Sequence, residues 1–244
     1  LYFSAGDAVH GVELWRTDGT FEGTVLVQDV RVGAGDSSPS DFVELNGILY
    51  FAASGSIHGN ELWRTDGSNA GAVMVRDINP GSAPSDPRQL TVVGNQIFMQ
   101  TAHAPGLWKS DGTLAGTRPV LYGGPAPDNL TAFEGELFYT DGAGGLWKTD
   151  GTEFGSSFIQ TTFGIDRAEG ITIFDGAMYF AAREAYENSS YQLWRSDGAT
   201  AGTNVVAKIT PDGSSARLQS LTAVGDQLFF VADDGIAGPE LTPS

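Results

Sequence analysis

Apolar residues in this chain fall in short runs bounded by Gly, Asn, Asp and Pro, and no helix-length segment carries a 3.6-residue apolar period. Read from the start, Leu1–Ser4 forms a strand, a glycine-containing loop covers Gly6–Val12, and Glu13–Thr17 forms a second strand. The stretch Asp18-Gly19-Thr20-Phe21-Glu22-Gly23-Thr24 turns the chain into a third strand, Val25–Val30. A Gly/Ser/Pro loop (Gly33–Ser40) then leads to a fourth strand, Asp41–Leu45, and Asn46-Gly47 opens the next unit at Ile48. The pattern predicts four short strands per unit.

The unit repeats. Glu13-Leu14-Trp15-Arg16-Thr17-Asp18-Gly19-Thr20 returns as Glu61-Leu62-Trp63-Arg64-Thr65-Asp66-Gly67, then as Leu-Trp-Lys-Ser-Asp-Gly at Leu107–Gly112. It returns again as Leu-Trp-Lys-Thr-Asp-Gly at Leu146–Gly151 and Leu-Trp-Arg-Ser-Asp-Gly at Leu193–Gly198. Trp15, Trp63, Trp108, Trp147 and Trp194 are all the tryptophans of the protein, spaced by 48, 45, 39 and 47 residues. Four-stranded units of that period are the signature of β-propeller blades. Adjacent Leu14 and Trp15 point to opposite faces of their strand, so both faces are buried; with no helices to cover them, other sheets must. Burying one such Trp is worth about 2–3 kcal/mol.

Turn chemistry agrees. Asn46-Gly47, Gly94-Asn95, Glu134-Gly135, Asp175-Gly176 and Gly225-Asp226 stand where two-residue hairpin turns need positive φ. Asp18, Asp66, Asp111, Asp150 and Asp197 read as turn-builders that accept backbone N–H bonds, with glycines at both ends of the turn for left-handed backbone. The expected fold is an all-β propeller of four-stranded antiparallel blades. Six blades come first, from five clear repeats plus a partial one; five or seven stay open. One domain over 1–244 is expected, with units near 1–47, 48–95, 96–135, 136–176, 177–226 and a partial 227–244, in which Thr242 stands where Trp is due.

At these residues the chain resembles the ELWxxDGT repeat proteins, a bacterial family often secreted or surface-attached, whose molecular function is largely uncharacterised. The resemblance covers nearly the whole chain, but repeats three to five lack the leading Glu and the sixth lacks Trp. The strand order is also similar to kelch blades, which is an analogy of fold and carries no function. The resemblance implies an extracellular or cell-surface location.

Composition narrows the function. A net charge of −17 repels phosphate backbones and anionic lipid, which sets nucleic acid aside as a partner. With no Cys there is no disulfide, thiolate metal site or thiol nucleophile. No apolar run reaches the ~20 residues of a helical membrane span. The chain starts at Leu1 inside a strand, which reads as a processed chain or a fragment.

Candidate chemistry is sparse. His10, His58 and His103 occupy matching loops of separate units and read as structural or surface residues. Calcium is the metal alternative: Asp7 and Glu13 bracket one glycine-bearing loop, and Asp233, Asp234 and Glu240 another, although neither spacing matches an EF-hand. The irregular loop at 183–191 offers Arg183, Glu184, Tyr186 and Tyr191 as ligand contacts, against the plainer reading of a tolerated surface insertion. Asn129-Leu130-Thr131 and Asn188-Ser189-Ser190 match the glycosylation sequon. No Ser-His-Asp set, phosphate-cradling loop or HExxH motif is present. The expected function is a non-enzymatic binding or scaffold propeller that holds a glycan or protein at one end. A secreted carbohydrate-active enzyme and a surface-filament subunit, self-associating through its incomplete terminal blade, are the alternatives. Symmetry discriminates: an enzyme shows one asymmetric cluster, a multivalent binder shows matching sites.

Overall fold

The computed structural model describes residues 1–68, 70–102, 106–120, 126–159, 164–184, 191–207, 218–233 and 239–243. Among the described residues every regular element is a strand. The chain divides into two compact units, Leu1–Ala126 and Pro127–Ser244.

In the first unit, β1 (Tyr2–Asp7), β2 (Gly11–Arg16) and β3 (Val25–Gln28) make a three-stranded antiparallel sheet. The strands β4 (Ser40–Leu45), β5 (Ile48–Gly55), β6 (Gly59–Thr65) and β7 (Val73–Arg76) make a four-stranded one. So do β8 (Arg88–Val93), β9 (Gln96–Thr101), β10 (Gly106–Ser110) and β11 (Arg118–Pro119). In the second unit, β12 (Asp128–Phe133), β13 (Glu136–Thr140), β14 (Leu146–Thr149) and β15 (Ser156–Phe158) form a sheet. The next contains β16 (Ile165–Phe174), β17 (Ala177–Glu184), β18 (Gln192–Ser196) and β19 (Asn204–Ala207). Three strands, β20 (Gln219–Val224), β21 (Gln227–Asp233) and β22 (Pro239–Pro243), form the last. Each sheet runs in chain order through hairpins, as in a propeller blade.

The sequence units and the sheets are out of phase by one strand. Asn46-Gly47, read above as a unit boundary, is the turn of the β4–β5 hairpin, so the strand that closes a sequence unit opens the next sheet. That hairpin places φ at +54° and +79° on its two turn residues, as the turn requires.

Burial follows from the Leu-Trp pair. In the first unit, Leu14 of the first sheet and Val30, just past it, pack with Phe51, Ala53 and Trp63 of the second. Leu62, Tyr50 and Val75 of the second pack with Ile97, Met99 and Trp108 of the third. In the second unit, Leu146 and Phe138 pack with Phe180 and Trp194, and Leu193 packs with Leu228 and Phe230. The motif leucine therefore faces the following sheet and the tryptophan the preceding one. In the last sheet the register sets Thr242 opposite Phe230, where the preceding sheet sets Trp194 opposite Phe180.

The first strands of successive sheets lie side by side within each unit, β4 with β8, β12 with β16, and β16 with β20. All five carry a bulge that the sequence reading missed. Pairing slips between Ser40 and Val43, Arg88 and Thr91, Asp128 and Thr131, Glu169 and Thr172, and Gln219 and Thr222. Inside each slip sits one left-handed residue: Asp41, Gln89, Asn129, Gly170 or Ser220, at φ of 51–64°. Neighbouring bulges also touch, since the Asp41 carboxylate accepts the Gln89 N–H at 2.6 Å.

One more contact locks sheet to sheet. The first motif glycine is left-handed in every repeat, and in three of them a side chain of the preceding sheet closes on it: Tyr2 on Gly67, Tyr50 on Gly112, Phe138 on Gly198. An added Cβ at Gly112 would overlap the Tyr50 hydroxyl, whereas at Gly47 it would meet nothing. Gly47→Ala should therefore cost about 1 kcal/mol of backbone strain, and Gly112→Ala about 2–4 kcal/mol, because strain and steric overlap add. Urea denaturation of both variants checks the difference.

Candidate functional site

The Asp-Gly turns are closed hydrogen-bond circuits. The Asp18 Oδ1 accepts from the Thr20 N–H at 2.9 Å and the Thr20 hydroxyl at 2.7 Å, while the Gly19 N–H donates to the Thr17 hydroxyl at 2.9 Å. The Thr117 hydroxyl donates to the Thr113 carbonyl at 2.7 Å, so in its 2.7 Å contact with Ser110 it accepts. The same Asp contact recurs at Asp66, Asp111, Asp150 and Asp197. These bonds hold the Asp18, Asp66 and Asp111 carboxyls below the ordinary carboxylate value. The second motif glycine has a different cause from the one expected. At Gly23, Gly116, Gly155 and Gly202 a Cβ would collide with the turn carboxylate, and only Gly71 is left-handed.

At the other end of the sheets, the motif glutamates turn inward. Glu13 is fully buried, and its carboxylate accepts the N–H groups of Val30 (2.9 Å), Arg31 (3.3 Å) and Ser37 (3.1 Å) and the Ser37 hydroxyl (2.5 Å). Glu61 repeats this with the Ile78 and Ser85 N–H groups and the Ser85 hydroxyl. Each glutamate ties down the connection that leads into the next sheet. Its register partner is an alanine, Ala5 or Ala53, and Glu240 sits opposite Ala232 in the same register.

This bears on the calcium reading. Lone pairs engaged by N–H and O–H donors are not presented to a cation, so Glu13 is oriented as a loop anchor. Asp7, at the other end of the loop, accepts from the N–H groups of Val9 and His10 and contacts His10 Nδ1 at 2.8 Å. Those contacts hold its carboxyl down at about 2 and push His10 up. His58 pairs with Asp77 at 2.9 Å. Asp233 lies at the end of β21. Asp234, His103 and Asn188 fall outside the described residues. The other sequon residue, Asn129, is a bulge residue whose amide donates to the Thr140 hydroxyl at 3.0 Å.

The loop at 183–191 is described only at its base. There Arg183 and Tyr191 come together, the guanidinium 5.6 Å from the ring centre. The Tyr191 hydroxyl donates to Glu169 at 2.9 Å, a residue absent from the sequence-based set because it comes from the bulge of β16. Burial first, then the Glu169 carboxylate, pushes the Tyr191 phenol up. Glu184 ends β17, and Tyr186 lies outside the described residues.

Two cavities occupy matching places in the first unit, each on a Trp-Arg-Thr-Asp-Gly turn. One, of about 310 Å³, is lined by Tyr2, Arg16, Thr17, Asp18, Glu22 and Val25, with Leu1 and Gly23. The other, of about 200 Å³, is lined by Ile48, Arg64, Thr65, Asp66, Ala70 and Val73, with Gly71. Arg16 donates to the Gly67 carbonyl. Arg64 has no hydrogen-bond or ion-pair partner among the described residues. In the other repeats the residue after Trp is Lys109, Lys148 or Arg195. Lys109 is buried against Gln96, and Lys148 is bound to Glu136 at 2.7 Å.

In fold, the chain is similar to a puromycin hydrolase, at 17% identity over 99% of this chain and 43% of that one, with a TM-score of 0.55. It is similar to the computationally designed Ika8 protein, at 13% identity over 100% of this chain and 70% of that one (TM-score 0.54). A prolyl endopeptidase matches at 10% identity over 95% of this chain and 37% of that one (TM-score 0.51). These neighbours are propeller-like, and the likeness is one of fold. The chain spans less than half the length of the puromycin hydrolase it matches. No family model and no curated protein sequence matches the chain.

Glu61→Gln sets an amide NH₂ against N–H donors in a buried site. It should cost about 1–3 kcal/mol in urea denaturation, whereas Glu153→Gln on an exposed turn should cost nothing measurable. Burial raises the Glu61 carboxyl, so its contribution is full below its ordinary value of 4.5 and declines as pH rises past it. The turn aspartates act oppositely. With folded values below 3.8, they contribute above that pH, and the contribution is lost as pH falls through the folded values. Stability should therefore fall as pH drops from about 4 to 2, and Asp111→Asn should flatten that fall in a urea-midpoint series against pH.

Proposed function

We propose that this chain is a non-enzymatic binding propeller of the ELWxxDGT kind, displayed by a bacterium outside the cell, which holds a glycan or protein partner at matching sites in successive blades. The observation behind it is the pair of cavities at Arg16–Asp18 and Arg64–Asp66, one repeat apart, with Arg, Thr, Asp, Gly and Val at matching positions in both. A catalytic site calls for an asymmetric set of reacting groups, whereas repeated equivalent pockets suit multivalent holding. The asymmetric cluster of Arg183, Tyr191 and Glu169 is bonded within itself, which favours a brace at the base of the 183–191 loop. In this reading the blades form a ring of six.

The test is binding of the purified chain to an array of polysaccharides, glycans and surface proteins, with Ca²⁺ and with chelator. Selective binding is expected, and the donor-filled Glu13 carboxylate makes it indifferent to chelator. A blank array in both conditions overturns the proposal.

A further inference from the structure

The residue set at the turn cavities narrows the ligand. Three kinds of wall meet in the cavity of the second sheet: a guanidinium that only donates (Arg64), a carboxylate that only accepts (Asp66), and the alkyl groups of Ile48, Ala70 and Val73. Asp66 Oδ1 is engaged by the Ser68 N–H at 2.8 Å and the Ser68 side chain also bonds to this carboxylate, whose two oxygens have lone pairs for further donors. The Arg64 guanidinium has no hydrogen-bond partner among the described residues, and its charge adds to the Ser68 bonds in lowering the Asp66 carboxyl. At about 200 Å³ the cavity is below the ~300 Å³ at which sites for drug-sized ligands begin, and its repeat, at about 310 Å³, stands at that limit, so each has room for one ring and not for an extended ligand.

A hydroxyl both donates and accepts, so adjacent hydroxyls on a saturated ring can accept from Arg64 and donate to Asp66 while the ring C–H groups rest on Ile48 and Val73. The paired opposite charges leave the pocket locally neutral, and the −17 net charge of the chain disfavours an anionic ligand. We propose that the cavity at Arg64 and Asp66, and its repeat at Arg16 and Asp18, each bind one pyranose ring of a neutral saccharide. This rests on the binding function proposed above and assigns its ligand class and position. The first cavity has a further wall. Glu22 lines it, and the next residue along, Phe21, is 91% exposed on the same turn, where an aromatic face can meet a neighbouring sugar ring. The lysine repeats lack the site, because the Lys109 and Lys148 ammonium groups are bonded to the Gln96 and Glu136 side chains, whereas Arg16 gives one N–H to the Gly67 carbonyl and has no other hydrogen-bond partner among the described residues.

Calorimetric titration of the whole chain with a neutral glucan, a neutral galactomannan and polygalacturonate, with saturation-transfer NMR on the methyl hexosides, tests this. A neutral polysaccharide should bind. Arg64→Ala should weaken it at least tenfold, and Arg64→Lys should recover only part, since a point charge replaces a planar fork. Arg88→Ala, which removes an exposed cation elsewhere in the same unit, should leave affinity within twofold. Circular dichroism confirms that each variant is folded. Preference for polygalacturonate, or neutral binding unchanged in Arg64→Ala and in Arg16→Ala/Arg64→Ala, overturns the pocket assignment and leaves the binding function standing. A wild-type chain that engages no saccharide yet holds a protein on the array does the same. A chain blank in both experiments overturns both.

Discussion

Five of the six described sheets have an aliphatic residue on one face and an aromatic one on the other, in adjacent positions of the same strand, and neither face can be left in water. That requirement governs the rest. Leu62 needs the sheet that follows, and Trp63 the sheet that precedes. With ~2–3 kcal/mol tied to each buried tryptophan, a single sheet has too little to stand on, and the stabilising contacts are those between neighbours. Stability in each unit is therefore a nearest-neighbour property, as in other repeat architectures.

The polar half of the motif serves the same end. Asp18, Thr17 and Thr20 close one turn, and the glycine after the aspartate makes room for an aromatic ring of the preceding sheet, as at Gly112 under Tyr50. Glu13 and Glu61 anchor the opposite end of the sheet, where the chain crosses to the next. Charged residues in a strongly acidic chain are easily read as sites. Here the repeated carboxylates are mostly acceptors for the backbone, and Arg64 is a cation with no hydrogen-bond or ion-pair partner among the described residues.

Much of the fold was legible because it rests on local rules repeated five times. The Leu-Trp alternation marked both faces as buried, and Asn46-Gly47 marked a hairpin. Bulges escaped because Asp41, Gln89 and Ser220 carry no glycine to announce positive φ; only Gly170 does. The site was less legible. Arg183 and Tyr191 do meet, but Glu169, which completes the cluster, arrives from a distant strand. Asp7 and Glu13 share a loop in sequence yet point to different partners, since one is exposed and the other buried. Spacing along a strand gives the face of a side chain, not what waits there.

The offset between sequence unit and sheet has its own consequence. A unit that begins at β5 and ends with β8 supplies three strands to one sheet and the opening strand to the next. Gain or loss of one whole unit during evolution would thus never leave a sheet short of a strand in the middle of the chain. Each insertion is stitched to its neighbours by hairpins such as Asn46-Gly47, and a gene could change its number of blades in single steps, with the hydrogen-bonded edges matched at every one.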